Sequence, residues 1–68
     1  MTVPRMLILG AGGHGVSVAE TTVACGYDLV GFVDPRRVGS HLLGREVSAD
    51  IPPGYVETGG ACVLAIGD

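Results

Sequence analysis

Four glycines fall within six residues, Gly10 to Gly15, in the stretch LILGAGGHGVSV. Glycine loses more conformational freedom on ordering than any other residue, so a cluster of them marks a place where side chains cannot be accommodated. The flanks say what kind of place this is. Met6 to Leu9 is an apolar run bounded by Arg5 and Gly10, too short for a helix and suited to a strand buried on both faces. Beyond the glycines, Val16, Ala19, Val23 and Ala24 stand at i, i+3, i+7 and i+8, with Ser17, Glu20, Thr21 and Thr22 between them. This spacing predicts a helix with an apolar stripe on those four residues, stopped by Gly26 in a left-handed conformation.

The rest of the chain repeats the alternation. Leu29 to Val33 predicts a second strand, ended by Asp34-Pro35 because proline restricts the residue before it and cannot continue pairing. Residues 35–60 carry three prolines and five glycines and show no helical stripe. They predict an irregular connection with one short extended piece near Leu42 to Val47. Ala61 to Ile66 is a third buried-strand pattern, closed by Gly67-Asp68. Strand, glycines, helix, strand, crossover, strand is the order of an α/β fold with a three-stranded parallel core. IPPGYVETGG stands where a helix is expected before the third strand, and the sheet needs further cover, so the chain reads as a truncated piece of a larger fold.

Composition narrows the function classes. A chain of 68 residues with a formal charge of −3 and only four basic residues, all arginine, lacks the basic patch of a nucleic-acid domain. Its apolar N-terminal run is too short for a signal peptide or a membrane span, which makes the cytoplasm the expected location. Cys25 and Cys62 have neither CxxC spacing nor clustered histidines. They are expected as small apolar residues in a reducing compartment, with no metal site.

Gly10, Gly12 and Gly15 fit G-x-G-x-x-G between a strand and a helix, the context that gives this pattern meaning. The first glycine permits the turn, the second lets a ligand approach the backbone, and the third lets helix and strand pack closely. Free amides at the helix start, with the positive end of the helix dipole, favour an anion such as a diphosphate. Close packing alone would also use such a turn. His14, in the first helical turn, is a candidate donor to a phosphate or sugar hydroxyl. Asp34 ends the second strand, where an acid takes ribose hydroxyls in dinucleotide folds, although an Asp before Pro is also an ordinary turn residue. Arg36 and Arg37 add positive charge suited to a phosphate. Tyr27 and Phe32 are the candidates for stacking on a base, or for core packing. Gly67 and Asp68 end the third strand on the same sheet edge as the glycine loop.

LILGAGGHGVSVAE, CGYDLVGFVDPRR and VLAIGD, in that order, resemble the N-terminal domain of bacterial sugar acyltransferases related to sialic acid O-acetyltransferase and to the N-acetyltransferases of UDP-linked 4-amino sugars. The resemblance spans nearly the whole chain and is loosest over residues 38–60. It implies a Rossmann-like domain, residues 1–68, that binds a nucleotide sugar. Polysaccharide biosynthesis is the implied setting. It also implies a left-handed β-helix outside this chain that binds acetyl-CoA, forms a homotrimer and carries the catalytic histidine. By the same resemblance Gly10, Gly12, Gly13, His14 and Gly15 meet the diphosphate and sugar. Asp34 and Arg36 meet the uracil and ribose, and Gly67 and Asp68 lie near the sugar. No catalytic residue is expected in this chain. The rival readings are an NAD-binding module of an oxidoreductase and a non-catalytic nucleotide-sensing domain.

Overall fold

The computed structural model of the chain describes residues 3–65. The elements are β1 (Arg5–Leu9), α1 (Gly13–Ala24), β2 (Asp28–Val33), β3 (His41–Leu42), β4 (Arg45–Ser48) and β5 (Ala61–Leu64). They form an α/β fold of Rossmann type, with one five-stranded sheet in the order β3-β4-β2-β1-β5. The expected parallel core is present as β2-β1-β5. It is extended by β4, parallel to β2, and by β3, antiparallel to β4, so the sheet is mixed and wider than the three strands expected.

The extra strands come from the extended piece near Leu42 to Val47, which folds back on itself. Leu42 pairs with Arg45, leaving Leu43 and Gly44 as a two-residue loop with φ of 52° and 73°. Two positive φ values in succession define the tight turn whose twist matches paired strands. The usual Asn-Gly signal is absent, and leucine holds a left-handed conformation in its place.

Strand β1, which lies between β2 and β5, slips register against β2 between Met6 and Leu7, so Val30 has no partner on β1. Leu29, opposite Met6, and Phe32, opposite Ile8, therefore face the same side although they are three residues apart. That side carries the core: Ile8, Phe32 and Val47 are fully buried, joined by Leu29, Ala11, Ala19 and Ala65. Phe32 is thus a packing residue and cannot stack on a base.

Helix α1 covers this face with Gly15, Ala19 and Thr22 buried and Val18 packed against the core. The stripe is rotated from the expected one: Val23 is 52% exposed, Ala24 is exposed, and Thr22 takes the inner position. Thr22 can be buried because its hydroxyl donates to the Val18 carbonyl at 2.8 Å, so no polar group is left unpaired. The helix stops as expected at Gly26, whose φ is 90°. The N–H groups of Gly26 and Tyr27 donate to the Val23 and Thr22 carbonyls, which closes the last turn.

Between β4 and β5 the chain makes a short turn built around Tyr55 instead of a helix. Gly59, with φ of 90°, and Gly60 donate back to the Val56 and Tyr55 carbonyls and close it. The Tyr55 ring is buried, its hydroxyl donates to the Ala61 carbonyl at 2.7 Å, and the Arg5 guanidinium lies 5.0 Å from its centroid. Arg5 also donates to the Thr58 carbonyl at 2.7 Å. Gly60 must be glycine at this point, since a Cβ there would overlap the ring.

Candidate nucleotide site

The carboxyl ends of β1, β2 and β5 open into a cleft of about 570 Å³. It lies where the order of strands reverses around β1, the usual ligand position in open α/β sheets. The glycine loop forms one wall, and the segments after β2 and β4 form the other. A second groove of about 430 Å³ lies at the opposite edge, between Glu20, Val23, Tyr27, Leu43 and Arg45. It has no glycine loop and no helix start, so the carboxyl-end cleft is the candidate site. Tyr27 lines that opposite groove and is too far round the molecule to stack on a ligand in the cleft.

The glycines divide the labour. Gly10 has φ of 125°, and its N–H donates to the Val33 carbonyl at 2.8 Å, which turns the chain off β1. Gly12 lines the cleft, and a Cβ there would have Arg37 Nη2, at 3.9 Å, as its nearest neighbour. The space beside its backbone is therefore open. Gly15 is buried, and a Cβ there would collide with the Gly10 carbonyl, so its smallness sets how closely α1 approaches β1. Gly13 and His14 are exposed in the first helical turn. No side chain caps this helix start and its first turn holds no acid, so its N–H groups are available to a negative ligand.

Asp34 braces the two walls. Its Oδ2 accepts from the Ala11 N–H at 3.1 Å and from Arg37 Nη1 at 2.9 Å, and its Oδ1 accepts from the Arg36 N–H at 3.0 Å. These donors, the Arg36 and Ala11 amides foremost, hold its carboxyl below the usual aspartate value against a smaller opposing effect of burial. The ion pair is largely solvent-screened through Arg37, whose side chain is 50% exposed.

Of the residues singled out from sequence, Gly10, Gly12, Asp34 and Arg36 line the cleft together, Gly13 and His14 sit at the adjoining helix start, and Gly15 lies behind them. Gly67 and Asp68 fall outside the described residues. Arg36 takes part through its backbone amide, whereas its neighbour Arg37 carries the side chain that reaches across to the glycine loop. Asp50, Ile51 and Leu64 also line the cleft and were not singled out. The first two come from the irregular connection, where no spacing rule applies.

Fold and site together define an α/β domain of Rossmann type in which a glycine turn and helix start face a cleft between strand ends. The family model described as PglD N-terminal domain matches residues 5–68, so the chain belongs to that family, the N-terminal domain of an acetyltransferase of sugar biosynthesis. No curated protein and no solved structure matches the chain. No helix among the described residues is long and apolar enough to cross a membrane.

Proposed function

We propose that this chain is the domain that holds the UDP-sugar substrate of an acetyl-CoA-dependent sugar acetyltransferase. The observation that carries the reading is the uncapped start of α1 beside the open space at Gly12, within a cleft at the strand ends. A diphosphate there accepts from the Gly13 and His14 amides, and Arg37 stands next to it as a second positive group. Family membership supplies the sugar acetyltransferase. The acyl acceptor on this reading is a UDP-linked amino sugar, with a sialic-acid-type sugar as the rival acceptor. The parent protein acts in the cytoplasm as a homotrimer whose left-handed β-helix, outside residues 1–68, binds acetyl-CoA. None of the cleft residues is assigned to acetyl-CoA or to catalysis.

Calorimetry with UDP tests the reading on wild type and Gly12→Val. A Cβ at Gly12 meets no backbone within 4 Å, so the variant should fold, as circular dichroism checks, and lose binding at least about tenfold by filling the space beside the loop. Equal binding by both proteins, or binding by neither, would count against the proposal. Tighter binding of NAD than of UDP would favour an oxidoreductase module.

A further inference from the structure

The acid at the end of β2 is the one that dinucleotide folds use for ribose hydroxyls, yet here it has little acceptor capacity left. A carboxylate offers about four acceptor places. Asp34 has three of them filled, by the Ala11 amide, the Arg36 amide and the Arg37 guanidinium. A vicinal pair of hydroxyls needs two. Asp50 lines the same cleft from the segment after β4, and one of its places is filled, by the Ile51 N–H on Oδ1 at 2.8 Å.

We propose that Asp50 receives the ribose hydroxyls of the nucleotide, while Asp34 serves as the brace of the glycine loop. The assignment rests on the nucleotide reading of the cleft given above. Its geometry follows from the sheet. The glycine loop stands above β1 and Asp50 beyond the end of β4, two strand spacings away, or about 10 Å across the strand ends. A nucleoside diphosphate laid along those ends, with its phosphates at α1, brings its nucleoside to the Asp50 wall. The aliphatic side chains of Val33, Pro35 and Ile51 line that part of the cleft and offer the base an apolar surface.

The test compares UDP with 2′-deoxy-UDP by calorimetry on wild type, Asp50→Ala and Asp34→Asn. Asp50 is exposed and its one hydrogen bond is to its own neighbour. Circular dichroism should therefore show Asp50→Ala folded, and Asp50→Asn, which keeps that contact, gives a milder version of the same change. Wild type should prefer UDP by about tenfold, the loss expected for one hydrogen bond to a charged group. Asp50→Ala should bind UDP at least about tenfold more weakly and bring the preference close to one. Asp34→Asn should weaken both ligands by a common factor and keep the preference. A preference that persists in Asp50→Ala, or that vanishes in Asp34→Asn alone, would overturn the assignment. Wild type that binds both nucleotides equally overturns it while leaving the nucleotide reading intact, and wild type that binds neither sinks both.

Discussion

Replacing Gly15 with alanine isolates the contact on which the geometry of the loop depends. The added Cβ would stand 2.9 Å from the Gly10 carbonyl carbon and closer still to its oxygen. Non-bonded carbons prefer about 3.5–4.0 Å, so helix and loop must separate by at least about 0.6–1.1 Å. Both partners are backbone, and no flexible side chain can yield. Overpacking of this kind costs about 1–3 kcal/mol, and the rigid partners place this site near the top, at about 3. Alanine returns about 1 kcal/mol through its better helix propensity, for a net loss of about 2 kcal/mol. In a domain of this size that lowers Tm by about 8–16 °C, read by circular dichroism at 222 nm or by a urea melt. Gly13→Ala is the matched control in the same turn, since its Cβ meets nothing within 4 Å. It should be neutral or stabilising by up to about 1 kcal/mol. If Gly15→Ala melts with wild type, the third glycine does not set the helix-to-strand distance and the argument is wrong.

Leu43→Asn should stabilise the chain by about 0.5–1 kcal/mol, because asparagine tolerates the left-handed conformation that leucine holds at φ of 52°; an unchanged urea midpoint would count against strain there. Tyr55→Phe removes the hydroxyl that donates to Ala61 and should cost about 1 kcal/mol. Burial raises the pKa of Tyr55, so wild type should lose stability as pH rises above the ordinary tyrosine value of about 10, where the unfolded chain ionises first. The phenylalanine variant should lack that part of the alkaline loss, and identical alkaline profiles would refute it. The lowered pKa of Asp34 acts at the other end of the scale. Its contribution is present above the ordinary aspartate value of about 3.9 and lost as pH falls through the lower folded value. The stability gap between wild type and Asp34→Asn should therefore close in acid, and a gap that stays constant down to pH 2 would contradict the bracing role.

The elements legible in the sequence were those set by short-range physics. An apolar run cut by glycine or Asp-Pro fixed β1 and β2, and Gly26 fixed the end of α1. The face of the helix was harder to read because Thr22 and Val23 exchange the expected places. A threonine that satisfies its hydroxyl within the helix can go inward, and hydropathy does not register that. The hairpin of β3 and β4 escaped because it is short and its turn lacks the usual residues. In the site, the glycine spacing and Asp34 were readable, since backbone geometry demands them at those positions. Arg37 was not separable from Arg36 by spacing, because which arginine reaches the loop depends on how the turn after β2 aims each side chain. Asp50 lies in a segment without periodicity and becomes visible only when the sheet brings it beside the loop.

The position of β1 between β2 and β5 also governs the order in which the molecule can assemble. Its pairing with β2 needs only the intervening helix, a local unit that can close early. The pairing with β5 joins residues 55 positions apart, Met6 with Ala61 through Leu9 with Leu64, and distant contacts of this kind slow folding. During synthesis the strand made first is the last to gain its second neighbour. Until then its Arg5 has neither Tyr55 nor Thr58 to meet, and the nascent chain waits with one side of β1 open.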